Sequence, residues 1–165
     1  MCKKLFTPDE ILDKFEDFNI NKYRELGYTT ILLDIDNTLE SNFTLDPSDL
    51  CIKRVNWLKD AGFKVIIYSN NTTKRVSRFC KDLDVEWYAW SFKPLSFVYR
   101  KIIKKHNLNK KEIVTIGDQL LTDVLGTKKA GLTSIYVKPL GKEEKFYTRF
   151  NRNIERFIFK YVIKM

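Results

Sequence analysis

The most constraining stretch of the chain is Ile31-Leu32-Leu33-Asp34-Ile35-Asp36-Asn37-Thr38-Leu39, an apolar run that ends in two aspartates one residue apart. The run has the form of a strand buried on both faces of a parallel sheet. Chain leaving such a strand enters the crevice where open α/β sheets bind ligands. Two carboxylates there repel each other, and a cation, a shared proton or both relieves the repulsion. A magnesium ion with oxygen ligands meets that need. One carboxylate is then available as a nucleophile and the other as a general acid/base. Taken alone, the same pattern also fits a turn or a helix N-cap.

The rest of the chain repeats the pattern of strand, polar cluster and helix. Tyr28 to Leu33 is the first predicted strand. Leu45 to Ala61 reads as a helix that Asp46 or Ser48 can cap and Gly62 ends. Phe63 to Tyr68 is a second strand, running into Ser69-Asn70-Asn71-Thr72-Thr73, where a threonine can cap a helix to about Leu83. Val85 to Trp90 is a third strand, followed by Lys93-Pro94 and a helix from about Leu95 to Lys105. Glu112 to Ile116 is a fourth, entering Gly117-Asp118-Gln119-Leu120-Leu121-Thr122-Asp123 and a helix through Lys129 that stops at Gly131. Thr133 to Val137 is a fifth. Strands alternating with helices imply right-handed βαβ units and a mostly parallel, doubly wound sheet, which brings the polar clusters to one edge.

Residues 1–27 read as a helical preamble. Ile11, Leu12, Phe15 and Phe18 have helical spacing, so Pro8 to Phe18 is expected to be an amphipathic helix, with a further turn from Asn21 to Leu26 before Gly27. The catalytic core is expected over 28–141 within a single domain, 1–165. Lys142 to Met165 reads as a basic amphipathic helix: Phe146, Tyr147, Phe150, Ile154, Phe157, Ile158, Tyr161 and Val162 share a broad face, with Lys145, Arg149, Arg152, Arg156, Lys160 and Lys164 mostly elsewhere. Such a helix can dock on the domain with a solvated basic face, lie on an anionic membrane surface, or bind a partner or nucleic acid.

Composition narrows the classes. The formal net charge of +9 favours an anionic partner without choosing among phosphorylated substrate, anionic lipid and nucleic acid. His106 is the only histidine, which excludes histidine-cluster metal sites. Its lysine neighbours mark it as a surface residue near a helix end. Cys2, Cys51 and Cys80 are widely spaced and odd in number, as expected of reduced thiols. No run of 18 or more apolar residues is present, and the N-terminus lacks a signal-peptide core, so a cytoplasmic location is expected.

The clusters combine carboxylates, hydroxyl and amide donors and one cation. That inventory suits phosphoryl transfer to a carboxylate nucleophile. In series, D-I-D-N-T-L, S-N-N, K-P and G-D-Q-L-L-T-D resemble the haloacid dehalogenase (HAD) superfamily of phosphatases, and more narrowly the YqeG family of its IIIA-type branch, in order and across residues 28–141. The resemblance implies a HAD-like Rossmannoid three-layer α/β fold with a five-stranded, mostly parallel sheet. It also implies roles. Asp34 would be the nucleophile, forming an aspartyl-phosphate, and Asp36 the general acid/base. Asp34, the Asp36 carbonyl and Asp118 would hold Mg²⁺, with Asp123 supporting the metal directly or through water. Thr38 and Ser69, with Asn70, would bind phosphate oxygens, and Lys93 would stabilise the phosphoryl group and nucleophile.

The spacings from Asp36 to Ser69 and from Asn71 to Lys93 are filled by a predicted helix and strand each. No sizeable cap fits, so an open, capless site is expected. The YqeG family also resembles mitochondrial phosphatidylglycerophosphate phosphatases. That implies a lipid phosphate as substrate and peripheral contact of the C-terminal helix with the inner face of the membrane. A soluble metabolite or nucleotide phosphatase is the competing enzyme. A nucleic-acid or ribosome-associated binding protein on the same scaffold is a third class, although no RNA-binding signature is apparent.

Overall fold

The computed structural model describes residues 2–41, 44–141 and 146–163, with the backbone alone described for residue 2 and residues 146–150. Six parallel strands form one sheet: β1 (Glu10–Leu12), β2 (Thr30–Leu33), β3 (Lys64–Tyr68), β4 (Glu86–Tyr88), β5 (Ile113–Gly117) and β6 (Thr133–Val137), in the order β1-β6-β5-β2-β3-β4. The chain steps outward from β2 to β3 and β4, then returns to the other side of β2 to lay down β5 and β6. That reversal opens a crevice between β2 and β5 at the carboxyl ends of the strands, where this topology places ligands.

Side chains alternate across the sheet. Ile31, Leu33, Val65 and Ile67 pack into one core with residues of α3 (Asp49–Asp60) and α4 (Thr73–Phe79). Leu32, Ile66 and Tyr68 face the other way, onto α5 (Phe97–His106) and Ala130 of α6 (Leu125–Ala130). The result is the expected three-layer arrangement. Each fully buried Leu or Ile contributes about 1.5–3 kcal/mol through burial, so β2, whose four residues are all buried, is held from both faces. Ser48 and Thr72 cap α3 and α4 through their hydroxyls, as their positions suggest. Helix α3 starts at Asp49 and α4 ends at Phe79, shorter at those ends than the sequence pattern predicts.

The sheet has six strands where five are expected, because Pro8 to Phe18 is not a helix. Helix α1 (Cys2–Phe6) precedes it, Glu10–Leu12 is the sixth strand, Phe15–Asp17 is a 3₁₀ turn, and α2 (Ile20–Glu25) follows. Strand β1 pairs with β6, Ile11 opposite Tyr136, and Asp9 anchors the entry by accepting from the Ser134 amide at 2.7 Å. Ile11 and Leu12 then face opposite sides of the sheet, in separate cores. Tertiary pairing overrides a spacing that also fits a helix.

The C-terminal segment docks on the domain. Helix α7 (Phe146–Phe157) continues into a π-helical turn, Ile158–Ile163. Ile158 and Ile163 are buried against Leu120, Val124 and Tyr136, with Phe159 and Val162 beside them. Ile154, Phe157 and Tyr161, expected on the apolar face, are exposed instead. Lys142 to Lys145, Lys164 and Met165 lie outside the described residues, as do the side chains of Phe146, Tyr147, Arg149 and Phe150. Among the described residues, no helix is long and apolar enough to cross a membrane.

Candidate functional site

Asp34 directly follows β2, and its amide donates to the Ile116 carbonyl at 3.1 Å, so the central ladder carries it to the edge of the sheet. The chain then turns tightly. Leu39 and Glu40 amides both reach back to the Ile35 carbonyl, and buried Leu39 pins the turn to the core. Asn37 sits at φ 58°, a left-handed conformation that asparagine adopts more readily than most residues. Thr38 is buried, with its hydroxyl 3.5 Å from Asp118 Oδ1.

Lys93 is the hub. Its ammonium lies 2.6 Å from Asp34 Oδ1 and 2.6 Å from Asp123 Oδ1, and 4.3 Å from the centre of the Tyr68 ring. The loop that delivers it is fixed by Asn70, whose amide accepts from the Lys93 amide at 2.8 Å and donates to the Lys93 carbonyl at 3.2 Å. Gly126 makes room beneath: a Cβ there would stand 3.2 Å from Pro94 Cα and 2.7 Å from the Tyr99 hydroxyl. Ser69 is buried at the end of β3, its Oγ accepting from the Asn71 amide at 3.2 Å.

Asp118 precedes a π-helical turn, Leu120–Val124, and Asp123 lies within it. Asp123 uses Oδ2 to accept from the Gln119 amide at 3.2 Å, capping that turn, and Oδ1 to meet Lys93. Gly117 is required here, since a Cβ would come within 2.4 Å of Asp123 Cγ. Asp34, Asp118 and Asp123 offer carboxylate oxygens all within 4.8 Å of one another, and all three residues are buried.

So much negative charge in a dry site is costly, and the titration behaviour follows. Burial pushes Asp34 up to about 7 against the pull of Lys93, with Asp123 and Asp36 adding to the rise. Burial also drives Asp118 well above the usual carboxylate range, against the pull of Arg152. For Lys93 burial opposes the charge, but Asp123 and Asp34 outweigh it and hold the ammonium charged. The donor set is all carboxylate oxygen and preassembled, and a bound cation would offset the burial that otherwise favours its protonated forms. It fits a hard divalent cation such as Mg²⁺ and does not suit a soft metal.

The structure thus gathers Asp34, Thr38, Ser69, Asn70, Lys93, Asp118 and Asp123 at one edge of the sheet. Asp36 shares the turn but is engaged by other groups: Arg75 donates to its Oδ1 at 2.7 Å, and the Asn71 side-chain amide to its Oδ2. Arg75 also donates to the Thr44 carbonyl at 2.6 Å. His106 closes α5 at the opposite edge, its Nδ1 3.0 Å from the ammonium of Lys64 at the start of β3.

Two arginines escaped sequence reasoning. Arg75 lies in the first turn of a helix capped just after the Ser69-Asn70 cluster, a position that points toward the site. Arg152 was expected on the solvated basic face of the C-terminal helix. It turns inward instead, donating to both the carbonyl and the Oδ2 of Asp118. No local signal separates it from its basic neighbours.

Comparison with known proteins identifies the fold and the family. A family model described as HAD-hyrolase-like matches residues 92–148. The chain is 36% identical over 158 residues to the probable phosphatase YqeG of Bacillus subtilis, covering 96% of this chain and 92% of that one. Among solved structures it is similar to a 3-deoxy-D-manno-octulosonate 8-phosphate phosphatase from Moraxella catarrhalis, determined with magnesium, phosphate and its sugar. That match has a TM-score of 0.55 at 18% identity, over 86% of this chain and 92% of that one. A HAD subfamily III A hydrolase from Legionella pneumophila aligns with a TM-score of 0.52 at 21% identity, over 70% and 69% of the two chains. These structural likenesses establish the shared fold, and the identity to the Bacillus protein over nearly the whole chain establishes the relationship. The chain belongs to the YqeG family of HAD-superfamily phosphatases.

Proposed function

We propose that the protein is a Mg²⁺-dependent phosphomonoester hydrolase that works through an aspartyl-phosphate on Asp34. The observation that carries this reading is the buried juxtaposition of Asp34 with Lys93 at 2.6 Å inside the Asp34–Asp118–Asp123 cluster. A carboxylate at the end of a central strand, oriented by a fixed ammonium, is a positioned nucleophile.

Asp34, the Asp36 carbonyl and Asp118 would hold the cation, which when bound supplies charge compensation for Asp34 and for the phosphoryl oxygens. Asp123, with both oxygens engaged by Lys93 and the Gln119 amide, supports the site by fixing Lys93. The Ser69 hydroxyl and the Thr38 turn offer donors to the phosphoryl oxygens, and Asn70 acts by holding the Lys93 loop. An Asp34 oxygen attacks phosphorus, and the bond to the ester oxygen breaks. Asp36 delivers a proton to the departing alkoxide. It then takes a proton from water, which attacks the phosphorus and frees Asp34 and inorganic phosphate. For that role Asp36 exchanges its Arg75 and Asn71 contacts for the ester oxygen and the water.

The favoured substrate class is a phosphomonoester carrying a large apolar group, with phosphatidylglycerophosphate as the first candidate. The site rim supports this. Leu45, Trp90, Phe92, Leu95, Phe97 and Leu140 are 41–54% exposed. All lie in loops or a first helical turn just beyond the carboxyl ends of strands, at the catalytic edge. Trp90 and Phe92 stack at 6.3 Å, with φ of 48° and 50°, a costly backbone for bulky residues that nevertheless keeps both rings on the surface beside Lys93. Exposed aromatic rings favour the headgroup level of a bilayer. Phosphate release from phosphatidylglycerophosphate in mixed micelles, beside a panel of soluble phosphates, tests the proposal. Turnover of soluble esters alone would discard the lipid and keep the enzyme. Substitution of Trp90 and Phe92 by serine is expected to impair the lipid reaction selectively.

A further inference from the structure

Helix α7 reaches the site through the side chain of Arg152. The Arg152 guanidinium donates to both the carbonyl and the Oδ2 of Asp118. Glu155, one turn on and 2% exposed, accepts from Arg152 at 2.8 Å through Oε2 and from the Leu121 amide at 3.2 Å through Oε1. Arg152, Asp118 and Glu155 therefore form a largely buried relay between the C-terminal helix, the cation cluster and the π-helical turn that follows Asp118 and carries Asp123.

We propose that Arg152 is a positioning residue for the cation site, so that Mg²⁺ binding and docking of α7 reinforce each other; this rests on the metal-dependent reading above. Two features set the sign. First, a planar guanidinium gripping both the carbonyl and one carboxylate oxygen of a single residue fixes the Asp118 side chain. Its other oxygen, Oδ1, is left on the side of Thr38. A ligand already oriented costs less to recruit. Secondly, Glu155 pairs with Arg152, so the two together orient Asp118 while adding almost no net positive charge to repel the cation. Partners that orient a metal ligand are typically worth about ten- to a hundredfold in metal affinity.

The test is calorimetric titration of Mg²⁺ into metal-free wild type and Arg152→Gln, with circular dichroism confirming the fold. The proposal expects binding by the variant to weaken by about tenfold or more. It also expects Glu155→Gln, which leaves the Arg152 charge uncompensated, to weaken binding. Wild-type affinity, or tighter binding, in Arg152→Gln overturns the proposal and makes the arginine a competitor or a bystander. Absence of Mg²⁺ binding by the wild type overturns the metal-dependent reading itself, which separates the two failures. Should Arg152→Gln not fold, hydrogen exchange on the wild type decides. Added Mg²⁺ is expected to slow exchange of the α7 amides, and unchanged exchange overturns the coupling.

Discussion

Lys93 Nζ stands 2.6 Å from Asp34 Oδ1, with both side chains buried, although 59 residues separate them in the chain. The same ammonium reaches Asp123 at the same distance. One cation therefore holds two of the three clustered carboxylates. Lys93→Met removes it and leaves uncompensated buried charge, at a cost of about 3–5 kcal/mol. Denaturant unfolding without metal at neutral pH is expected to show that loss. Mg²⁺ should restore more stability to the variant than to the wild type, while phosphate release stays severely impaired. An unchanged midpoint would mean that Lys93 does not neutralise the cluster.

The raised Asp34 makes a pH prediction with a definite sign. Its folded value, about 7, lies above the usual 3.8, so the fold favours the neutral carboxyl. The stability this confers is complete below the ordinary value and is lost as pH rises through the folded one. Asp118, raised by burial too, acts in the same direction. The melting temperature of metal-free protein is therefore expected to fall between about pH 5 and pH 8, with the Mg²⁺-induced gain largest at the alkaline end. Asp34→Asn should flatten the metal-free decline. Thermal melts across pH with and without Mg²⁺ check all three, and a metal-free stability that rises over this range would refute the assignment.

Gly117 offers a steric test. A Cβ there would stand 2.4 Å from Asp123 Cγ, closer than any packing tolerates. Gly117→Ala must displace Asp123 and with it the Lys93 contact. Activity is expected to fall by at least about tenfold with a loss of roughly 1–3 kcal/mol in stability. Steady-state kinetics with denaturant unfolding measures both. Wild-type behaviour would show that Asp123 does not need its observed position.

The sequence exposes Asp34, Ser69, Lys93 and Asp118 because each ends or follows a recognisable strand, and parallel topology makes strand ends converge. It hides β1, because Ile11, Leu12, Phe15 and Phe18 satisfy helical spacing equally well. The partner that decides is Tyr136, far along the chain. It hides the Asp36–Arg75 pair because a helix first turn does not show where a long side chain reaches. It hides Arg152 most completely. In a segment rich in lysine and arginine, nothing local marks this guanidinium as one drawn inward, and only the geometry of Asp118 and Glu155 selects it.

The proposed mechanism stands on Asp34 as the nucleophile. Steady-state phosphate release with Mg²⁺, compared between wild type and Asp34→Asn on the best substrate of the panel, tests it most directly. The asparagine keeps the shape and removes the attacking oxygen's charge. With Asp34 as nucleophile, the wild type is expected to release phosphate in a Mg²⁺-dependent way and a fully folded variant to release none above background. Turnover by Asp34→Asn close to that of the wild type would contradict it.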